Sequence, residues 1–320
     1  MFMSSIPRNS RILISGASGL IGSSLRTHLK LQGYDVFSLV RKSAKQKLHY
    51  IKSTHDITWD PEAGHIDLEK LEGFDAIIHL SGENIASLRW TKKKKEKIRS
   101  SRLKGLELLL RVCKILKYPP KRLLVASAVG YYGDKGDETV TDTSSKGSGF
   151  LADLTSDIEG LCKASPIKAI PMRFGIILSE KGGLLKKMIP LFRVGLGAVL
   201  GPGDQFMSWI HLDDAVRLIT HCLENSKITS AVNITAEPTT QSDFASALAK
   251  TLKKPLFLKI PKFLIRWLGG EMADSLVLNS VRAYPSKMLE PFIEHPTIEE
   301  ALESLLYFDE ASIMKTPYTG

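Results

Sequence analysis

The sequence predicts an α/β fold: a doubly wound, mostly parallel sheet followed by a smaller, mainly helical region. Two observations predict it. Over roughly the first 180 residues, short and continuously apolar runs alternate with longer amphipathic ones. Strands that are apolar on both faces must be covered by helices on both faces, which is the arrangement of a parallel sheet. After about residue 236 the chain reads as helical pieces broken by prolines, which indicates a second, helical domain.

The apolar runs predict the strands in order, and the patterns between them predict the helices. The predicted strands are 11–15, 35–40, 76–80, 122–127 and 168–174, with 231–235 as a further strand of the same sheet. The main predicted helices are 20–32, 91–117 and 150–163. Another helix is expected to be capped near Asp213, and Thr297 is predicted to begin a helix with Glu300 at the capping-box offset.

This order of elements predicts three segments. Residues 1–235 form the first domain, with a substrate-side insertion at about 182–208; residues 236–310 form a small second domain, and 311–320 a tail. Within the insertion, the glycine-rich segment 195–204 is a candidate lid over the site.

Composition excludes several classes of protein. The chain of 320 residues is 43% hydrophobic and 24% charged, which is typical of a globular protein. It has no apolar run long enough for a transmembrane helix, and its first residues lack the apolar core of a signal peptide. Its cysteines, Cys113, Cys162 and Cys222, are widely spaced. They predict neither a disulfide framework nor a metal site, and they suit a reducing compartment, so we expect a cytoplasmic protein.

The formal net charge of +10 is concentrated in the segment "TKKKKEK", residues 91–97. Such a cluster can contact nucleic acid or an anionic membrane, but it also occurs on the solvated face of a helix. The sequence has no zinc finger, no RNA-recognition motif and no alternation of aromatic and basic residues. We therefore expect a solvated helix face, with neither nucleic acid nor membrane as a partner.

The strongest motif is "GASGLIG", which lies between the first strand and the first helix. Gly16 permits a tight turn, Gly19 lets the backbone approach a pyrophosphate, and Gly22 allows the helix to pack closely on the strand. The start of the helix then offers free N–H groups to the phosphates. This strand–turn–helix context predicts a Rossmann-type dinucleotide site formed by Gly16, Ser18, Gly19, Leu20, Ile21 and Gly22.

The end of the second strand indicates which dinucleotide is bound. An NAD site usually has an acidic residue there, which binds the ribose 2′-hydroxyl. This sequence has Val40, Arg41 and Lys42 instead. A guanidinium cannot accept that hydrogen bond but can bind a 2′-phosphate with two donors. The sequence therefore favours NADP(H), although Arg41 is also compatible with an ordinary surface position.

Other cofactor contacts are predicted where neighbouring strands end. Ligands of open α/β sheets lie beyond the carboxyl ends of the strands. Leu80, Ser81 and Gly82 should therefore line the cofactor, with Ile177 near the nicotinamide end. Arg102 is placed to reach a phosphate or a ribose, or it is only a structural residue of its helix.

Several strings of the sequence resemble a known family. The spacing in "GASGLIG" and the string "WIHLDDAV" resemble the extended short-chain dehydrogenase/reductase superfamily. More narrowly, the chain resembles an atypical group described as epimerase-family, or NAD-dependent epimerase/dehydratase-like, proteins. The strings that carry this resemblance are "SGENIASLRWTKKKKEKIRSSR", "ASAVGYYGDKGDE", "FLADLTSDIE", "GPGDQFMSWIHLDD" and "IPKFLIRWLGGEMADSLVLNSVRAYPSKMLE". The resemblance implies an NADP-type Rossmann fold with a small C-terminal domain, and it implies no particular substrate.

The resemblance also implies a catalytic dyad, Tyr and Lys four residues apart on a helix, in which Lys lowers the pKa of Tyr. Tyr131 and Lys135 have that spacing, but the glycines and aspartates around them are typical of a turn. We therefore interpret the pair as a false match. The next helix has Phe150 and Leu154 at the two positions, and neither side chain transfers protons. The superfamily serine corresponds to Ser127 or, with a shift of one residue, to Ala128.

Other residues could replace the missing dyad. The candidate catalytic residues are Ser127, Tyr131 and Tyr132, and Glu83, Asp157 and His211 are further acid–base candidates. Each also has a structural interpretation: Glu83 as a loop cap, Asp157 on a solvated helix face, and His211 at a domain junction. The leading hypothesis is an NADP(H)-dependent oxidoreductase or epimerase-like enzyme of unknown substrate, monomeric or homodimeric, without a metal. The alternative is a non-catalytic NADP-binding regulator or scaffold.

Overall fold

The structure is a computed structural model that describes residues 6–41, 53–86 and 89–313, with side chains up to Leu306. Its strands are β1 Arg11–Ser15, β2 Asp35–Arg41, β3 Asp56–Asp60, β4 His65–Ile66, β5 Ala76–His79, β6 Arg122–Ala128, β7 Thr139–Val140, β8 Lys168–Phe174, β9 Ile176–Leu178, β10 Ala198–Leu200, β11 Phe206–Met207, β12 Trp209–His211, β13 Val232–Ile234, β14 Thr239–Thr240, β15 Leu258–Ile260 and β16 Arg282–Ala283. Its α-helices are α1 Leu20–Leu31, α2 Lys92–Ile115, α3 Phe150–Lys163, α4 Gly183–Arg193, α5 Leu212–Glu224, α6 Gln241–Thr251, α7 Lys262–Gly269, α8 Glu271–Ala273 and α9 Ile298–Ile313.

The central sheet has eight strands in the order β13-β8-β6-β5-β1-β2-β3-β4. Its neighbours pair in parallel except for β3 and β4, which pair antiparallel. The chain moves outward from β1 in both directions, first to β2 and β3 and later to β5, β6, β8 and β13. The predicted doubly wound α/β fold is confirmed. Its topological switch point lies between β1 and β5, where ligands of such sheets bind.

Helices cover both faces of the sheet because its strands are apolar on both sides. On one face, α1 and α5 bury side chains such as Leu25, Leu29 and Ile219 against β1 and β8. On the other face, α2 and α3 bury Leu106, Leu109 and Ile158. Burying a side chain of this size stabilises the fold by about 1.5–3 kcal/mol, so the two layers hold the sheet ends in fixed positions.

A third apolar core lies beyond the central sheet. Helices α4, α6 and α9 pack around the buried ring of Trp209, with Phe192 and Phe244 among their buried side chains. Short strand pairs, β10 with β15 and β11 with β14, connect this region. None of the helices in residues 6–41, 53–86 and 89–313 has both the length and the apolar character needed to cross a membrane.

The structure refines several predicted elements. The capping box at the last helix is confirmed, because Thr297 Oγ1 accepts from the N–H of Glu300 at 3.4 Å and the N–H of Thr297 donates to Glu300 Oε2 at 3.1 Å. The helix expected to be capped near Asp213 is confirmed as α5, and its cap is the side chain of His211, which accepts from the N–H of Asp213. Strands β3 and β4 at the sheet edge were not predicted, since their polar residues hide the apolar pattern.

Candidate functional site

The turn between β1 and α1 is enclosed by backbone, which explains its glycines. Gly16 has φ of +76°, and a Cβ there would lie 2.9 Å from the carbonyl carbon of Leu80 and 2.9 Å from the amide nitrogen of Ser81. A Cβ on Gly22 would lie 2.2 Å from the carbonyl oxygen of Gly16. The N–H of Gly19 donates to that carbonyl at 2.9 Å. The structure therefore brings the glycine turn against the carboxyl end of β5.

Helix α1 begins without any side chain that satisfies its first N–H groups. Gly19 is the N-cap, no side chain makes a capping hydrogen bond, and no acidic residue lies in the first turn. Helix α6 is different, because Thr240 caps it by accepting from the N–H of Asp243. The N–H groups that an α-helix leaves unpaired at its start carry a partial positive charge. At α1, where Leu20 and Ile21 follow an exposed Ser18, they can bind an anion.

A buried pair behind the glycine turn was not predicted from the sequence. Ser15 at the end of β1 and His79 at the end of β5 lie side by side, with Ser15 Oγ 2.7 Å from His79 Nδ1. The N–H of Ser81 donates to the same Oγ at 3.4 Å. Burial lowers the pKa of His79 to about 4, so its ring is neutral at physiological pH. The signal that could have revealed the pair is a polar residue at the last position of two neighbouring apolar strands.

Arg102 of α2 lies against the backbone that follows β5. A Cβ on Gly82 would lie 2.9 Å from its guanidinium carbon, and its Nη1 donates to the carbonyl of Ile98 at 3.1 Å. Burial lowers the pKa of Arg102 to about 10, which leaves the side chain charged at neutral pH. Within the described ranges no carboxylate lies at ion-pair distance from it. Arg102 therefore brings to the end of β5 a positive charge that no described carboxylate contacts directly, with Glu83 acting on it only at longer range.

The end of β2 has the predicted basic residue at its surface. Arg41 is the last residue of the strand, exposed, and paired through the sheet with Trp59 of β3. Among the residues that the structure describes, no carboxylate lies at ion-pair distance from Arg41. Val40 before it is half-buried. Lys42 lies outside the described residues.

The start of α4 meets the start of α1. A Cβ on Gly182 would lie 3.2 Å from Cδ1 of Leu20, and a Cβ on Gly183 would lie 3.2 Å from the carbonyl oxygen of Ile177. Strand β9, which contains Ile177, pairs with β12 beside the central sheet. Gly182 and Gly183 thus bring together two of the predicted cofactor contacts, Leu20 and Ile177. The role of these two glycines was not predicted from the sequence.

Beyond the ends of β6 and β8 lies a buried polar network. Ser127 Oγ donates to Glu159 Oε1 at 3.0 Å. Arg173 binds the same carboxylate with two donors, Nε at 2.8 Å and Nη2 at 2.7 Å. All three residues are buried: Ser127 is 8% exposed, Glu159 5% and Arg173 4%. The hydroxyl of Ser127 is therefore held by a carboxylate that already neutralises an arginine.

Tyr132 belongs to the same network. Its side chain is fully buried, and its hydroxyl accepts from Arg173 Nη1 at 2.8 Å and lies 2.7 Å from Asn233 Oδ1. Burial raises the pKa of Tyr132, against the opposing effect of Arg173. This phenol is engaged by the protein itself.

Tyr131 has different surroundings. It is half-buried, and the guanidinium carbon of Arg173 lies 3.8 Å from the centre of its ring. Its hydroxyl makes no hydrogen bond to the described residues by the distance and angle criteria that Tyr132 meets. Residues Val129–Tyr132 form a 3₁₀ turn rather than an α-helix. Lys135 lies in the turn that follows, with Nζ 3.5 Å from Glu138 Oε2.

Phe150 and Leu154 on the first turns of α3 pack against apolar side chains. Leu154 is 2% exposed, and the ring of Phe150 packs edge-on against that of Trp90, with centroids 5.2 Å apart. These are the two positions at which the resemblance implies Tyr and Lys. No proton-transferring side chain stands at either one.

The carboxylates considered as acid–base candidates are both paired with cations. Glu83 Oε1 lies 2.8 Å from Lys94 Nζ and 3.4 Å from Lys97 Nζ, and the hydrogen bond from Lys94 lowers the pKa of Glu83. Asp157 is paired with Arg99 of α2. Part of the lysine cluster in α2 is thus neutralised within the protein.

His211 lies in a cluster with Asp214 and His295, whose potential metal-ligating atoms are all within 4.8 Å of one another. Asp214 is fully buried, and its oxygens already accept from the N–H of Glu294 at 3.1 Å and the N–H of His295 at 3.0 Å. Arg217 also donates to Asp214. Burial lowers the pKa of His211 to about 4. A carboxylate so fully hydrogen-bonded ties the segment before α9 to α5.

A sequence model of one protein family matches most of the chain. The sequence model of the NAD dependent epimerase/dehydratase family matches residues 12–235. The chain belongs to this family. A second match, to a domain of unknown function named DUF1731, covers residues 260–305.

Individual family members are similar over nearly their whole length. Epimerase family protein MT2273 of Mycobacterium tuberculosis is 37% identical over 300 residues, 92% of this chain and 97% of that protein. Epimerase family protein YfhF of Bacillus subtilis is 32% identical over 283 residues, 87% of this chain and 91% of that protein. The crystal structure of human epimerase family protein SDR39U1 with NADPH has a TM-score of 0.83 at 27% identity, covering 93% of this chain and 99% of that one.

Proposed function

We propose that the protein is an NADP(H)-dependent oxidoreductase or epimerase-like enzyme. The cofactor would lie across the carboxyl ends of β1, β2 and β5, with its pyrophosphate on the first turn of α1. The observation that carries this proposal is the start of α1, which has no side-chain cap and no acidic residue in its first turn. The turn before it has no space for a Cβ at Gly16 or Gly22. Such a start is a site for phosphate groups.

The choice of NADP(H) rests on the end of β2. Arg41 is exposed there, and the described residues offer it no carboxylate. A guanidinium in this position can bind the 2′-phosphate with two donors. The human relative SDR39U1 was solved with NADPH, which supports the same choice for this chain. Arg102 supplies a second positive charge, beside Gly82.

Tyr131 is our candidate for the proton donor. Tyr132 and Ser127 are also close to the ends of β6 and β8, but their hydroxyls are engaged in the buried network. Tyr131 is half-buried, and its ring is fixed under the guanidinium of Arg173. A phenol with a free hydroxyl at the nicotinamide end can exchange a proton with a substrate while a hydride moves.

A second candidate function is supported by α3. Phe150 and Leu154 stand where the family resemblance implies the dyad, and both pack into apolar surroundings. This favours a non-catalytic NADP-binding regulator or scaffold. Such a protein would bind the cofactor with the same contacts and would not oxidise or reduce it in turnover.

The two candidates are separated by a screen of carbonyl compounds for consumption of NADPH, followed at 340 nm. If the protein is an enzyme, Tyr131→Phe should lower kcat by about 100-fold or more, because a positioned proton donor contributes on that order. Tyr132→Phe should retain turnover at temperatures where it is folded. Tyr118→Phe, at an exposed tyrosine of the surface, is the matched control. Full turnover in Tyr131→Phe would contradict the donor assignment, and no turnover with any carbonyl compound would favour the regulator.

We place the protein in the reducing environment of the cytoplasm, as a monomer or homodimer. This rests on three free, buried cysteines, Cys113, Cys162 and Cys222. We also propose a domain boundary near residue 235, where the first family match ends.

A further inference from the structure

Arg282 of β16 is a half-buried arginine that forms no ion pair with the described residues. Its guanidinium carbon lies 4.6 Å from the centre of the Phe206 ring and 5.9 Å from that of Tyr284. Nη2 makes one long hydrogen bond, to the Tyr284 hydroxyl at 3.4 Å. Nε is buried and has no acceptor in the described part of the structure. No carboxylate there lies within 4.0 Å of the guanidinium.

Two buried arginines, Arg173 and Arg122, each donate to several acceptors, although Nε of Arg122 has none among the described residues. Arg173 is bound by both carboxylate oxygens of Glu159, and Arg122 donates to the backbone carbonyls of Asn225 and Ile228, each at 2.6 Å. Arginine carries five N–H donors, and buried donors in native proteins are almost always satisfied. Arg282 makes one long hydrogen bond and has no carboxylate within ion-pair distance among the described residues, which leaves its guanidinium able to bind a group supplied from outside the chain.

The strand that contains Arg282 is fixed to the ends of β6 and β8. Its neighbours Val281 and Ala283 pack with Tyr131 and Tyr132 in one apolar cluster. Ser208 Oγ donates to the carbonyl of Val281 at 2.7 Å and accepts from the N–H of Ala283 at 3.0 Å.

Ser208 in turn lies directly at the end of β8. A Cβ on Gly175, the residue after that strand, would lie 2.7 Å from the carbonyl oxygen of Ser208. The backbone of β16 therefore lies where the carboxyl end of β8 and the second domain meet, and the Arg282 side chain leaves the strand on the face opposite Val281 and Ala283, beside Phe206. Ligands of this class of sheet bind in that crevice.

We propose that Arg282 is an anion-binding residue of the substrate site and that the substrate carries a carboxylate. The identification of this region as the substrate site rests on the proposed function. The nearby cations are compensated, Arg173 by Glu159 and Lys135 by Glu138. One unpaired guanidinium offers one positive charge in a planar fork, which matches a carboxylate, whereas a phosphate dianion calls for more than one cation.

The aromatic rings beside Arg282 specify the rest of the ligand. The face of the Phe206 ring contacts the guanidinium, and the hydroxyl of Tyr284 accepts from Nη2 at its edge. Such walls suit a carboxylate attached to a flat or apolar body rather than to a heavily hydroxylated one.

The test is a calorimetric titration with benzoate, with phenyl phosphate and with the neutral isostere benzamide. It is run on the NADPH-saturated and on the cofactor-free protein. The variants are Arg282→Gln and Arg282→Lys, and the control is Arg266→Gln, an exposed arginine paired with Asp274. The wild type and the control should bind benzoate, and benzamide should bind more weakly. Arg282→Gln should lose affinity for benzoate on the order of 10-fold or more, because a charge-assisted, two-donor contact is removed.

Three results would overturn the proposal: no binding of benzoate to the wild type, equal binding to wild type and Arg282→Gln, or tighter binding of phenyl phosphate than of benzoate. If Arg282→Gln does not fold, Arg282→Lys decides, because it keeps the charge and loses the fork. A weaker affinity for benzoate at unchanged affinity for NADPH then supports the proposal, and an unchanged affinity for benzoate overturns it. A wild type that binds benzoate through Arg282 but binds no NADPH would contradict the proposed function alone.

Discussion

The two ends of the candidate site differ in how their polar groups are satisfied. At the β1–α1–β5 end, no side chain caps the first turn of α1, and no carboxylate of the described residues lies within ion-pair distance of Arg102. At the β6–α3–β8 end, the carboxylate of Glu159 accepts from the hydroxyl of Ser127 and from the guanidinium of Arg173. Buried donors and acceptors are normally hydrogen-bonded. Groups without a partner therefore indicate a ligand site, whereas groups that are fully hydrogen-bonded within the protein indicate a structural role.

This difference teaches that the cofactor end is built for an anionic ligand and that most of the polar residues at the opposite end hold the fold. Tyr131 and Arg282 are the exceptions at that end, because the described residues do not satisfy their polar groups. The comparison therefore predicts which substitutions will damage stability and which will damage ligand binding.

The largest expected effect is a loss of stability on breaking the buried network of Ser127, Glu159 and Arg173. Glu159→Ala removes the partner of a buried arginine, so the free energy of unfolding should fall by about 3–5 kcal/mol. The measurement is urea denaturation followed by circular dichroism. Asp157→Ala on the same helix breaks a half-exposed pair with Arg99 and should cost less than about 1 kcal/mol. Equal losses in the two variants would show that the network does not hold this end of the sheet.

The second-largest effect is expected at the glycine turn between β1 and α1, where both stability and cofactor binding should change. Gly22→Ala would place a Cβ 2.2 Å from the carbonyl oxygen of Gly16, where only backbone can move. The free energy of unfolding should fall by about 3 kcal/mol, and binding of NADPH, measured by calorimetry on the folded fraction, should be lost. Gly160→Ala is the control, since a Cβ there meets nothing within 4 Å. It should leave binding unchanged and raise stability by up to about 1 kcal/mol. Normal binding of NADPH by Gly22→Ala would contradict the assigned geometry.

A smaller effect concerns the buried histidine behind the glycine turn. The pKa of His79 is about 4 in the folded protein, against an ordinary value of 6.5. The unfolded chain therefore binds the extra proton between these values, and stability is lost as pH falls from 6.5 towards 4. His79 should account for about 2 kcal/mol of the loss between pH 7 and pH 5.

The pH effect is measured by repeating urea denaturation at both pH values. His79→Asn keeps an acceptor for Ser15 Oγ and cannot take up the proton, so its loss between the two pH values should be smaller than that of the wild type. His65→Asn, at an exposed position of β4, should keep the wild-type dependence. If stability falls as much between the two pH values in His79→Asn as in the wild type, protonation of His79 does not cause the loss.

The parts of the fold that could be predicted depend on neighbours in sequence. The glycine turn and the Thr297–Glu300 capping box are formed by residues within one short segment, so their spacing alone predicts them. The buried strands β1, β2, β5, β6 and β8 are equally visible, because their apolar runs need no information about partners. The edge strands β3 and β4 contain polar residues and were missed.

The polar networks could not be predicted because they join distant residues. Ser15 and His79 are 64 residues apart, and Ser127 and Glu159 are 32 apart. No local pattern indicates that such residues meet. The register of β1 and β5 brings Ser15 to His79, and the packing of α3 on the sheet brings Glu159 to Ser127. The same holds for Arg282, whose importance lies in the partners that the described structure does not give it.

The central claim, an open cofactor end that accepts NADP(H), is tested most directly by calorimetric titration with NADP⁺, NADPH, NAD⁺ and NADH. The account predicts a preference for the phosphorylated pair in the wild type and in Arg193→Ala, an exposed arginine at the end of α4. In Arg41→Ala, the affinity for NADPH should fall on the order of 10- to 100-fold, because a charge-assisted contact is lost, while that for NADH should change little. Binding of no dinucleotide, or an undiminished preference for NADPH in Arg41→Ala, would contradict it.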